Sequence, residues 1–109
     1  MTRASSSGAA GPGVSVVVVP DCPHRDLAVA RASQALVDAG FRATVEVLVV
    51  TTPEEADAVG FGGSPTVLID GRDPFPAPES TTWACRLYPT EEGLQGAPSL
   101  AQLREALHG

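Results

Sequence analysis

The sequence predicts an α/β domain in the order β-α-β-α-β-β-α, built on one four-stranded mixed sheet. Three observations carry that expectation. Val14–Val19 is a nearly unbroken run of valines, interrupted only by Ser15, the pattern of a short strand buried on both faces. A long segment with helical periodicity separates it from a second valine-rich run, Thr44–Val50, so the two strands are expected to be parallel. Two later strand-like segments are joined by a proline-rich loop too irregular for a helix, so they are expected to be antiparallel.

The elements follow in order. Pro20 ends the first strand, and Asp21-Cys22-Pro23 makes a short turn. His24–Ala39 reads as a helix. Ala28, Ala32, Ala35 and Ala39 share one side, with Val29 and Leu36 beside them, and Gly40 follows as a residue able to take positive φ. After the second strand, Thr52-Pro53-Glu54-Glu55 is a helix start. Thr52 is the cap, Pro53 the first helical residue, and Glu55 reaches back to close a capping box; Gly60 is the stop. Thr66–Asp70 is the third strand and closes on the Asp70-Gly71 turn pair. Asp73–Ser80 contains three prolines and reads as an extended loop, and Thr82–Tyr88 reads as a fourth, edge-like strand. Ser99 caps a last helix with Gln102 at the capping-box position, and Leu100, Leu103 and Leu107 form its apolar face. Residues 1–13, rich in Ser, Gly and Ala, are expected to be a disordered tail, leaving one domain over 14–109.

Composition restricts the function. The 109-residue chain carries a net charge of −6 and has no lysine, so it lacks the basic footprint that nucleic-acid backbones require. No apolar stretch approaches the ~20 residues of a membrane span. The N-terminus has no apolar core of a secretory signal, and a cytoplasmic location is expected. The two cysteines, Cys22 and Cys85, are too far apart in sequence for a local two-cysteine redox motif. Two cysteines also exclude a four-cysteine zinc site. No cofactor and no metal ligand set is called for.

The chemistry-bearing signal is Asp21-Cys22-Pro23-His24-Arg25. Proline is favoured at the first helical position, which makes Cys22 the N-cap, its sulfur facing the free N–H groups of the first turn. Those donors and the positive helix end favour a thiolate. His24 and Arg25 add positive charge nearby, and Asp21 opposes them. A second signal is Ser64-Pro65-Thr66, where a proline directly before a strand and after Gly62-Gly63 is a candidate cis peptide.

At these residues the pattern resembles the thioredoxin fold, over roughly Val14–His108. The resemblance implies that Cys22 matches the nucleophilic first cysteine of the family's Cys-x-x-Cys motif. It implies that Pro65 is the cis-proline opposite it, and that Ser64 supplies a backbone edge for an extended peptide or thiol substrate. His24 and Arg25 flank that substrate site. The motif departs from the family at its second cysteine position, held here by Arg25, so resolution falls to a small thiol, as in single-cysteine glutaredoxins, or to the distant Cys85. The stretches Gly63-Ser64-Pro65-Thr66, Asp70–Phe75 and Cys85-Arg86-Leu87-Tyr88 are also similar to small bacterial proteins described as thioredoxin-like or related to alkylmercury lyase.

Three functions are therefore in view. One is a thiol-dependent oxidoreductase acting on a small thiol or a protein disulfide through Cys22, with Cys85 as resolving thiol where it is within reach. Another is a handler of soft metals or organomercurials through two thiolates, with Asp21 or Asp73 as proton donor. The third is a non-catalytic module presenting Phe75, Trp83 and Tyr88 as an interface. An open edge on the fourth strand would allow a homodimer.

Overall fold

The computed structural model describes residues 12–75 and 86–108. The elements are β1 (Val14–Val18), α1 (Arg25–Asp38), β2 (Val45–Val49), α2 (Pro53–Val59), β3 (Thr66–Ile69), β4 (Tyr88–Thr90), β5 (Gly93–Gln95) and α3 (Leu100–His108). The main sheet has the order β2-β1-β3. β2 lies parallel to β1, with Val14 opposite Val45, and β3 lies antiparallel to it, with Val14 opposite Ile69.

The central strand explains the layering. Val14, Val16, Val17 and Val18 are all buried, so β1 has no face that can meet water. Val14, Val16 and Val18 pack with Val67 of β3 against Ala28, Ala32, Ala35 and Leu36 of α1 and Leu103 of α3. Val17 and Leu68 point the other way and pack with Val50, Ala56 of α2 and Phe61. The sheet is thus covered by α1 and α3 on one side and by α2 on the other.

The helix ends use local chemistry. After α1, Gly40 takes φ 85°, its N–H donates to the Val37 carbonyl, and the Phe41 N–H donates to that of Leu36. After α2 the same closure recurs, with Gly60 at φ 73° bonded to Asp57 and Phe61 bonded to Ala56. Both are Schellman closures in which a glycine absorbs the left-handed turn and the next phenylalanine packs back on the core. At the start of α2 the Thr52 hydroxyl accepts from Glu55 N–H (3.1 Å). The Glu55 carboxylate closes one residue further back than expected, on the Thr51 N–H (2.7 Å) and hydroxyl (3.0 Å), and those bonds hold it below the usual carboxylate range. Before α3 the capping box is complete: Gln102 N–H donates to Ser99 Oγ (3.1 Å), and Ser99 N–H donates to Gln102 Oε1 (2.9 Å).

The Asp70-Gly71 pair turns the chain with φ 53° and 82°, the two positive values of a type I′ hairpin, closed by paired bonds between Ile69 and Arg72. Gly13, assigned to the tail by sequence, is docked here: it donates to Asp70 Oδ1 (2.9 Å) and accepts from Asp70 N–H (2.7 Å).

Among the described residues the expected four-stranded sheet is not formed. The sheet has three strands, and a separate two-stranded sheet, β4-β5, follows it. Of the expected fourth strand, residues 82–85 lie outside the described residues, as does Trp83. Arg86 N–H reaches the Ser64 carbonyl (2.8 Å), but Tyr88–Thr90 pairs with Gly93–Gln95 instead of continuing along β3. The physical reason is local. Pro89 has no N–H to give a ladder. Thr90-Glu91-Glu92-Gly93 closes on itself: Thr90 Oγ1 accepts from Glu92 N–H (3.1 Å) and donates to the Gly93 carbonyl (2.6 Å), with Gly93 at φ 101°. The open-edge argument for a homodimer loses its strand with this correction.

A buried ion pair ties the hairpin to the loop after β3. Arg86 Nη1 donates to Asp73 Oδ2 at 2.6 Å, with the guanidinium 1% and the carboxylate 15% exposed. Arg86 Nη2 also reaches the Phe75 carbonyl (3.3 Å). Removing one member leaves the other charge desolvated, so Arg86→Leu is expected to cost about 3–5 kcal/mol, and the double substitution with Asp73→Leu clearly less. Urea unfolding of the two variants measures the difference.

Candidate functional site

Both parallel strands, β1 and β2, end on the same side of the sheet, where α1 begins. In open α/β sheets this is where ligands enter. A cleft of about 270 Å³ opens there, lined by Val18 and Val19 at the end of β1, Val49 at the end of β2, the Pro20–Cys22 turn, and Arg25 and Asp26 at the start of α1. Cys22 is a free cysteine and half-buried, with one side packed on the α1/α3 core cluster and another on the cleft wall.

The expectation that Cys22 caps α1 is not met. The helix starts at Arg25 and its N-cap is His24, with φ −105° and ψ 7° and no side-chain cap bond. Asp21 takes φ 61°, a left-handed value that aspartate tolerates better than most residues. The Arg25 N–H then donates to the Cys22 carbonyl (3.3 Å), so Cys22-Pro23-His24-Arg25 is a turn that precedes the helix. The helix starts two residues later than the proline suggested, and Cys22 stands two residues before its N-cap. Pro23 fits this turn, with its preset φ at the second position.

The Ser64–Pro65 peptide bond is cis and stands beside the end of β1, where the Val19 N–H donates to Ser64 Oγ (3.1 Å). Its surroundings are closed. Ser64 is fully buried, and its carbonyl is taken by Arg86 N–H. The Pro65 carbonyl accepts from the Tyr88 hydroxyl (2.5 Å). Neither Ser64 nor Pro65 lines the cleft, so the described residues give no open Ser64 backbone edge for a substrate. Thr66 closes the preceding glycines, its hydroxyl accepting from Gly62 N–H (3.0 Å) and donating to the Gly63 carbonyl (2.6 Å).

The remaining candidates separate. Arg25 lies on the cleft wall beside Asp26 (3.3 Å), but both are exposed and the pair is worth little in water. His24 makes no cap bond to its own helix, and its ring lies against Gly96. Cys85 lies outside the described residues. Among those residues there is no group of three His, Cys, Asp or Glu that could hold a metal ion, and no helix long and apolar enough to cross a membrane. Tyr88 does not mark an interface: it is 2% exposed, in edge contact with Phe75 at 5.7 Å and under the Arg86 guanidinium at 4.4 Å.

Two features of this region have no sequence signal. Val49 reaches the cleft only because β2 pairs with β1 in a register that places it opposite Val18. Arg31, an ordinary polar helix residue by sequence, reaches Gln95 Oε1 (2.8 Å), the Pro98 carbonyl (3.2 Å) and the Ala97 carbonyl (3.4 Å), holding the segment before α3 against α1.

Burial pushes the Tyr88 hydroxyl up from its ordinary value of 10.0; the Asp73 carboxylate adds to this and Arg86 opposes it. The folded protein therefore keeps the Tyr88 proton where an unfolded chain releases it. Stability is expected to fall as pH rises past 10, by up to about 1.4 kcal/mol per pH unit. Tyr88 is the only tyrosine of the chain. Tyr88→Phe should remove this slope while costing about 1–3 kcal/mol at neutral pH, because the Pro65 carbonyl loses its donor. Denaturant midpoints on both sides of pH 10 test both effects.

Comparison with protein-family models, with curated proteins and with solved structures finds no match to this chain.

Proposed function

We propose that the chain is a thioredoxin-like, thiol-dependent oxidoreductase with Cys22 as its nucleophile. The observation that carries this reading is the placement of a free, half-buried cysteine on the wall of a cleft at the carboxyl ends of two parallel strands. The strand order, with β2 parallel to β1 and β3 antiparallel on its other side, supports the same reading.

The chemistry is thiol–disulfide exchange. The Cys22 thiolate attacks one sulfur of a substrate disulfide. A bond forms from Cys22 Sγ to that sulfur, the substrate S–S bond breaks, and the other sulfur leaves as a thiolate that takes a proton from water. A second thiol, from a small molecule or from Cys85, then attacks Cys22 Sγ: the mixed disulfide breaks, the bound half leaves as a thiolate that takes a proton from water, and a new disulfide joins Cys22 to the attacking thiol. Further small thiol such as glutathione reduces that disulfide and returns Cys22 to the thiol, so that for each substrate disulfide reduced two thiols are oxidised to one disulfide. Arg25, where the family's second cysteine would stand, cannot resolve the intermediate; it supplies a cation at the mouth of the cleft.

Reduction of hydroxyethyl disulfide by glutathione, followed at neutral pH, tests the reading. The wild-type protein should turn over and Cys22→Ser should fall to the uncatalysed rate, a loss of at least about 100-fold for removal of a nucleophile. Cys85→Ser then identifies the resolving thiol. A wild-type protein that does not exceed background, or a Cys22→Ser protein that retains turnover, rules the proposal out.

A further inference from the structure

The segment between β5 and α3 lies against the turn that bears Cys22. Gly96 is buried, and a Cβ built on it would fall 2.4 Å from both Cγ and Nδ1 of His24 and 2.7 Å from Cδ2. Atoms at the root of the imidazole cannot yield as the tip of a long side chain can. The φ of Gly96 lies outside the left-handed region, so glycine is not needed there for its backbone. The lack of a side chain at position 96 serves the close approach of His24.

Three further observations give this contact a consequence. His24 is the N-cap of α1, yet its side chain makes no cap bond. The ring is therefore free of the task that usually selects an N-cap residue. The platform under it is held from the same helix, because Arg31 grips Gln95, Ala97 and Pro98 on both sides of Gly96. His24 is also the third residue of the turn closed by the Arg25 N–H on the Cys22 carbonyl. A ring seated on a fixed surface holds its own backbone, and that backbone is the turn that carries Cys22.

We propose that His24 is a positioning residue: by seating its ring on Gly96, it fixes the Cys22–Arg25 turn and so the placement of the Cys22 thiol on the cleft wall. The inference rests on the reading of Cys22 as nucleophile and gives His24 a role other than substrate contact. The ring acts through its shape and not through its charge, so another planar ring of similar size can replace it. The β5–α3 junction, remote in sequence from Cys22, becomes part of the site.

The test is iodoacetamide labelling of Cys22, resolved from Cys85 by peptide mass spectrometry, at neutral pH and under conditions where each variant is folded by its urea curve. His24→Ala and Gly96→Ala should each change the Cys22 rate by about five- to tenfold, as small displacements of a reacting group do. His24→Phe should label like the wild type. In the double variant Gly96→Ala with His24→Ala, the added methyl should have no further effect, because the ring it would strike is gone. The inference is overturned if His24→Ala labels like the wild type, if His24→Phe behaves like His24→Ala, or if Gly96→Ala acts equally with and without the ring. Should Gly96→Ala fail to fold, the comparison of His24→Ala with His24→Phe decides alone. The disulfide-reduction assay scores the activity separately. A wild-type protein without turnover whose Cys22 labelling still follows His24 and Gly96 loses the proposed activity and keeps the coupling.

Discussion

The burial of β1 on both faces is the constraint from which the rest of the structure follows. Four of its five residues are buried valines, and such a strand is stable only with apolar layers above and below it and a strand on each side. α1 and α3 supply one layer, α2 the other, and β2 and β3 the flanks. The parallel pairing of β2 brings its carboxyl end beside that of β1, and the helix that must cross back over the sheet starts at the same end. The cleft that Cys22 lines is the gap left where two strands stop and α1 begins.

A polar seam then locks the far side of β1. Ser64 stands at its centre, its hydroxyl satisfying the N–H of Val19 and its carbonyl satisfying that of Arg86. Tyr88 takes the next carbonyl, that of Pro65, and the Arg86–Asp73 pair closes the outside of the seam over the Tyr88 ring. Each of these groups is buried or nearly so, and each is paired, as buried polar groups must be to avoid a large desolvation cost. Gly63 completes the seam, because a Cβ at that position would lie 2.9 Å from Arg86 Cβ. The seam has spent the Ser64 backbone on internal bonds, which is why the open side of the candidate site lies at Cys22 and Val49.

On the other side of Cys22 the restraints come from α1 itself. Arg31 gathers two carbonyls and a side-chain amide oxygen from the β5–α3 connection, and His24 lies on the glycine between them. α3 is further joined to the end of α1 by the Arg104–Asp38 pair at 3.1 Å, an exposed contact that adds little energy but the same direction of restraint. The turn that carries Cys22 is thus bounded by the end of β1 on one side and by a pinned ring on the other.

What the sequence determined by itself is what depends on neighbours in the chain. The valine runs of β1 and β2, the alanine stripe of α1, the Gly40 and Gly60 stops, the Asp70-Gly71 turn and the Ser99–Gln102 box are local patterns with local energies, and each stands where its residues put it. The start of α1 departs from expectation because proline serves equally at a first helical position and in the turn before it; here Asp21 takes φ 61° and the Arg25 N–H closes a turn on the Cys22 carbonyl. The fourth strand was misread because alternation in Thr82–Tyr88 says nothing about its partner, and the Pro89–Gly93 turn offers β4 a nearer one. Only the tertiary structure decided that Arg31 belongs with the Gln95–Pro98 segment, that Gly96 belongs with His24, that Asp73 belongs with Arg86, and that Ser64 is closed. These are contacts between residues well separated along the chain, and their energies exist only once the layers on β1 have brought them together.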